Sequence, residues 1–539
     1  MLESRCGSGY KENMSLLHSI ATVSGFTLLS RLIGFGRDVL IAWFLGATMW
    51  ADAFFVALRF PNLFRSLFAE GTLNVSFVPI FSGILKQKGR PAARVFAKEA
   101  FSVLFYILLI FTILMELLMP LAMVVLAPGF DEIEGKMEAT TYLSRITFPF
   151  LMCVSLVSLL SGILNSLGKF AAAAFSPCIL NLMMIFFLVC LTPFIGNSAE
   201  ALAWGVFAAG VMELVFLFYN TIRAGYGFGL LSPVYLLFNF SKDLKLLFRR
   251  MLPGVLGSGV YQINLFLDTI FVSFVGAGAM SWLNYAHHLF QLPIGIIGVA
   301  IGTALLPSLS RSLCEGKFQT ARHDLNRGLE VSLIMALASM IGLMVLALPI
   351  VSVLFEHGRF TSESSYKTAL ALKAFAIGLP AYMLTKALSP FFYAKGDTKT
   401  PVKIACLGVV INACLCLSLM RPLGHVGIAL ATGITVWINA LQYIFLLKRR
   451  GEFKLDVLFK YRFIRIMVSS AVMLLGLWGA KWGLTRLYSN WYRLKDGLSV
   501  VLLGGVIIFG ACLYFCCLVF TKTIRCKDIK KFLLIKKRV

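Results

Sequence analysis

Residues 77–89 read FVPIFSGILKQKG, and residues 305–317 read LLPSLSRSLCEGK. The second string follows the first by 228 positions, with Pro79 over Pro307 and Ser82 over Ser310. Outward from this pair the register holds. Pro61 and Pro293 lie 232 apart; Gly71-Thr72 and Gly302-Thr303 lie 231 apart. Phe130 and Phe360 lie 230 apart, and Pro149/Pro380 and Asn181/Asn412 both 231. Any one match is noise. An ordered series at a nearly constant offset marks an internal repeat.

The repeated unit is apolar. Of 539 residues, 59% are hydrophobic and 14% charged, with a mean hydropathy of +0.85. Soluble domains carry about 25% charged residues, so an ordinary soluble enzyme and a largely disordered chain are both excluded. A bilayer-spanning helix needs about 20 mainly apolar residues. Fourteen such runs are expected, at 17–44, 52–84, 98–126, 140–167, 172–192, 200–222, 247–275, 280–310, 330–355, 366–394, 402–420, 425–447, 463–486 and 498–520. The expected fold is an all-α polytopic membrane protein with two parallel six-helix repeats and two added C-terminal helices. Its expected parts are 14–230, 240–450, 460–522 and a basic tail at 523–539. An offset of six spans preserves orientation, as in transporters whose substrate path lies between two bundles. Residues 1–13 are polar with no signal-peptide exit, and Met14 stands as an alternative start.

The net charge is +25. The basic residues fall between apolar runs rather than among aromatics, so nucleic acid is not the expected partner. Alternate loops collect them, as with Lys169, Lys242/Lys245/Arg249/Arg250 and Lys448/Arg449/Arg450, and so does the tail. The loop holding Asp131, Glu132, Glu134 and Glu138 is acidic. By the positive-inside rule the basic set and both termini face the cytoplasm. The 12 cysteines form no C-x-x-C pair, so no zinc site or disulfide framework is expected.

Ionisable groups inside a membrane are costly and usually have a role. The first two spans are crowded with them. SRLIGFGRD carries Arg31, Arg37 and Asp38; ADAFFVALRFPNLFRSLFAEGT carries Asp52, Arg59, Arg65 and Glu70. On a straight helix Asp52, Arg59 and Glu70 share one face, as do Arg31 and Asp38. Two readings stand: an internal ion-pair lattice, or a cationic cavity. Four arginines against three acids leave a surplus cation, and guanidinium forks match phosphate oxygens. The cavity reading therefore points to a phosphate or pyrophosphate substrate. Later spans hold less charge: His287, His288, Lys373, Lys386 and Asp268. Asp268 reads as an ion or proton ligand, or as the partner of a lysine such as Lys386. No phosphate loop, H-E-x-x-H or G-x-S-x-G is present, so no enzymatic or ATPase site is expected.

SRLIGFGRD, DAFFVALRFPNLFRSLFAEG with SFVPIF, and GVAIGTALLPSLS resemble the MurJ (MviN) family of lipid II flippases, within the multidrug/oligosaccharidyl-lipid/polysaccharide exporter superfamily. The resemblance runs from about Met14 to the end. It implies two six-helix lobes, a terminal helix pair forming a groove for a lipid tail, and location in the bacterial inner membrane. It also implies export of undecaprenyl-pyrophosphate disaccharide pentapeptide (lipid II) for the cell wall, beside membrane lipids and cell wall synthesis and division proteins. Carried over by motif, Arg31, Arg37 and Arg65 match its cavity arginines, and Asp52, Asn62 and Glu70 their polar partners. His288 stands where the family usually has arginine. A sodium site of some members maps onto Asp268, Asn412 and Thr432, with Cys416 in place of an acidic ligand; sodium and proton coupling both stay open, and no other cofactor is expected. An ion-coupled multidrug exporter, or an exporter of another lipid-linked oligosaccharide, is the alternative, and a non-transporting scaffold a third reading.

Overall fold

In lipid every backbone N–H and C=O must be satisfied within the protein, and a chain this apolar does so by helices. The computed structural model describes residues 3–66, 73–227, 229–238, 241–494 and 497–523. Among them there is no strand. The chain forms two compact units, Met1–Met280 and Ser281–Val539.

The first unit holds α1 (Glu3–Leu45), α2 (Met49–Arg65), α3 (Asn74–Leu126), α4 (Lys136–Thr147), α5 (Phe150–Ser166), α6 (Phe170–Phe186), α7 (Thr192–Ile195), α8 (Ser198–Arg223), α9 (Pro233–Phe238) and α10 (Lys242–Ser273). From α11 (Ala279–Pro293) the chain enters the second unit, with α12 (Val299–Cys314), α13 (Phe318–Val345), α14 (Ala347–Phe355), α15 (Ser362–Ala394), α16 (Lys399–Leu423), α17 (His425–Arg449), α18 (Val457–Leu487) and α19 (Leu498–Phe520). Eleven helical stretches among the described residues are long and apolar enough to cross a membrane. The three expected spans outside that set are α1, α2 and α10, all rich in charge.

One expected span is divided. The run 52–84 is α2 followed by the start of α3, and α3 then continues into the run 98–126. The chain turns within α3 at Gly89, whose φ of 80° is open to a residue without a Cβ. In the second repeat α11 ends at Pro293, and a π turn over Ile294–Gly298 leads into α12.

Packing follows the repeat. Arg94 on α3 donates to the Gly227 carbonyl; Arg322 on α13, 228 residues on, donates to the carbonyls of Gly451 and Glu452. In the first unit Phe77 stacks on Phe81 and Phe96 with centroids 5.4 Å apart in both cases. Such ring pairs add about 0.5–1.5 kcal/mol each beyond burial. In the second unit α15 and α17 cross at Gly378 and Gly433, where an added Cβ on Gly378 would lie 2.8 Å from the Gly433 Cα. α10 packs with the first unit: the Gly129 N–H donates to Ser273 Oγ at 3.0 Å. The added pair α18 and α19 docks on α13. Tyr514 donates to the Ile334 carbonyl at 2.9 Å, and Glu330 accepts from both Arg327 and Arg462.

Candidate functional site

The expected site residues of α1 and α2 do not form one cluster; they separate into local pairings inside the first unit. Asp52, in the first turn of α2, is fully buried. Its Oδ2 accepts from Lys136 Nζ at 2.8 Å and from the Gly278 N–H at 2.7 Å. Lys136 is equally buried, with its ammonium 3.8 Å from the Phe130 ring centroid. About two turns along, Arg59 reaches Thr269 Oγ1 on α10 at 2.9 Å. Asn62 donates to the Leu58 carbonyl and accepts from Arg65 Nε, each at 2.9 Å.

α2 is described as far as Arg65, so the face that Asp52 and Arg59 were expected to share with Glu70 runs out of the described residues. Glu70 lies outside the described residues. The face shared by Arg31 and Asp38 is not used as such. Asp38 Oδ1 is taken by its neighbour, accepting from Arg37 Nη2 at 2.6 Å and Nε at 3.0 Å. Arg37 Nη1 donates to Asn181 Oδ1 at 2.8 Å, and Asn181 donates to the Ser30 carbonyl at 3.0 Å. Arg31 is exposed, and among the described residues it makes no hydrogen bond or ion pair.

Arg65 lines a cavity of about 420 Å³ inside the first unit, with Asn74, Ser158, Ser176 and Glu213 among its walls. Asn74 donates to Ser158 at 3.1 Å. Glu213, only 3% exposed, takes a hydrogen bond from Ser176 and faces the Arg65 guanidinium. The tally of four arginines against three acids therefore changes. Glu213 adds an acid beside Arg65, and Lys136 removes Asp52 from the arginines. Arg31 remains the cation with no protein partner among the described residues.

Sequence reasoning passed over Lys136 and Glu213. Lys136 is a single cation in EIEGKMEA, a stretch read as an acidic loop. Glu213 in VMELVF carries the same signal as Asp268, an isolated carboxylate in an apolar run.

The residues expected to hold an ion divide by unit. Asp268, in the first, accepts from Asn264 at 3.2 Å. In the second, Asn412 accepts from Thr435 at 3.4 Å, while Thr432 donates to the Ile428 carbonyl of its own helix. Among the described residues no group of three or more His, Cys, Asp or Glu is placed to hold a metal. His288 is half-buried on α11; its neighbour His287 lies 2.6 Å from Gln291 Nε2 and packs on Phe375 with centroids 5.6 Å apart.

With this geometry in hand, residues 41–494 match the family model described as lipid II flippase MurJ. The chain belongs to the MurJ family. A probable lipid II flippase MurJ of Rhizobium tropici is 41% identical over 464 residues, covering 85% of this chain and 86% of the relative. Another, from Rickettsia prowazekii, is 36% identical and covers 93% and 97%. A structure described as lipid II flippase MurJ in an inward closed conformation superposes with a TM-score of 0.76 at 26% identity, over 92% of this chain and 98% of that one. An inward-facing MATE family transporter gives 0.65 at 14% identity over 80% and 98%, a likeness of fold. The MurJ assignment agrees with an all-α membrane chain whose first two spans are rich in arginine.

Proposed function

We propose that this chain flips lipid II from the cytoplasmic to the outer leaflet of the bacterial inner membrane, by alternating access, for peptidoglycan synthesis. The observation that carries the reading is family membership over most of the chain, joined to the arginines of α1 and α2. Arg31, exposed and unpaired among the described residues, is the first contact for the pyrophosphate. Arg37 and Arg65 follow. Each is held in a fixed geometry, by Asn181 and Asn62 respectively, and a fixed guanidinium fork loses little entropy on taking a phosphate. His288, on α11, stands where the family resemblance implies an arginine. The drive is an ion gradient, the membrane potential or the substrate gradient, with Asp268, Asn412 and Thr432 as the residues to test for ion coupling. Both termini face the cytoplasm in this reading, the side on which the lipid is supplied; the cell wall synthesis proteins that consume it meet it in the outer leaflet.

The test is complementation. A bacterium depleted of its own flippase is given this chain, and lipid II reachable from outside is measured. Restored accessibility and growth support the reading; a well-expressed chain that restores neither overturns it.

A further inference from the structure

The two units build the same pair of turns and fill them with opposite chemistry. After α5 the Gly168 N–H donates to the Asn165 carbonyl at 3.0 Å and the Lys169 N–H to that of Leu164 at 2.9 Å. After α15, 228 residues later, the Gly396 N–H donates to Tyr393 at 2.9 Å and the Asp397 N–H to Phe392 at 3.0 Å. Both glycines have φ of 74°. Lys169 thus occupies the backbone position of Asp397. The turns after α8 and α17 match in the same way: Gly225 bonds to Ile222 and Tyr226 to Thr221, as Gly451 bonds to Lys448 and Glu452 to Leu447.

In the second unit these turns are stapled by ion pairs. Asp397 accepts from Arg450 at 2.8 Å, and from the Thr400 N–H in the first turn of α16 at 3.0 Å. Lys395 pairs with Glu452 at 2.7 Å. In the first unit no acid stands at any of these places. Lys169 and Arg223 are both exposed, and among the described residues neither forms an ion pair. Around them lies a cavity of about 560 Å³, lined also by Thr22, Asn220 and the first residues of α6, with no carboxylate in its wall. Lys169 supplies no side-chain cap to α6, where Asp397 caps α16.

We infer that this cavity binds a phosphate group, bridged by Lys169 and Arg223, in the place that the Asp397 carboxylate fills in the other repeat. Two cations facing one cavity repel each other unless an anion stands between them. The second unit shows an anion in this place: the Asp397 carboxylate takes Arg450 and the Thr400 hydroxyl on Oδ2 and the Thr400 N–H on Oδ1. The phosphate belongs either to an anionic phospholipid head group or to a soluble ion. The cavity's lining includes none of Arg31, Arg37 and Arg65.

The test uses the purified full-length protein. In one arm, thermal unfolding is followed against inorganic phosphate, with chloride at matched ionic strength as control. In the other, native mass spectrometry scores retention of phosphatidylglycerol against phosphatidylcholine. Wild type should show phosphate-specific binding in at least one arm. Stabilisation by inorganic phosphate assigns a soluble ion, and retention of phosphatidylglycerol alone assigns the head group. Lys169→Asp sets a carboxylate at the exposed turn position that Asp397 holds in the second repeat, so it should fold and weaken binding at least tenfold; Arg223→Ala should weaken it too. No specific binding by wild type in either arm, or equal binding by wild type and both variants, overturns the inference.

Discussion

Lys136 Nζ sits 2.8 Å from Asp52 Oδ2, and neither side chain is exposed. The same carboxylate accepts the Gly278 N–H, so one buried acid joins the start of α2, the start of α4 and the turn after α10. Breaking a buried pair by removing one partner costs about 3–5 kcal/mol, because the other charge is left without compensation. Asp52→Asn is therefore expected to lower thermal stability strongly. Adding Lys136→Met to Asp52→Asn should recover much of the loss. Unfolding temperatures of the two variants in detergent check this, and equal temperatures would show the pair is not coupled.

The α1 and α2 arginines should separate by burial. Arg31→Ala is expected to abolish export with no change in unfolding temperature, since Arg31 is exposed and unpaired among the described residues. Arg37→Ala should abolish export and also destabilise by about 1–3 kcal/mol, because it strips Asp38 and Asn181 of a donor. Arg65→Lys should rescue poorly, because an ammonium cannot reproduce the fork. Outer-leaflet lipid II measured per folded molecule checks all three; normal export by Arg31→Ala would remove it from the substrate path.

His288 replaces an arginine that the family resemblance implies. If His288 meets the substrate phosphate, His288→Arg should keep transport, because a guanidinium fork matches phosphate oxygens, and His288→Ala should reduce it. An inactive but folded His288→Arg beside an active His288→Ala would make the residue structural.

Asp397 lies in the turn between α15 and α16. The Thr400 hydroxyl, the Thr400 N–H and Arg450 hold its pKa down, to about 2. An unfolded aspartate titrates near about 3.9, so the lowered value stabilises the fold above that pH and the contribution fades as pH falls toward about 2. Asp397→Asn should unfold at a lower temperature than wild type at pH 7, with the gap closing below about pH 3. The gap should also shrink in high salt, since the pair is partly exposed.

Orientation is tested by labelling. A cysteine at position 450 should be shielded from an impermeant reagent added outside, and one at position 134 should react. The reverse pattern would invert the topology.

The sequence by itself determined the helical membrane class and the repeat, and eleven of its fourteen expected spans are helices long and apolar enough to cross a membrane among the described residues. These rest on composition, period and offset, which are properties of the chain read in order. It also located the arginines of α1 and α2, because charge in an apolar run needs no partner to be noticed. What it could not give was the partner of each charge. Asp52 finds Lys136 across 84 positions and Arg37 finds Asn181 across 144. Helical spacing orders residues along one helix and is silent about the helix opposite. Tertiary structure also decided that Lys169 and Asp397, unremarkable as loop residues, hold the same turn position. Only there does the substitution of one charge for the other become a chemical difference between the two halves.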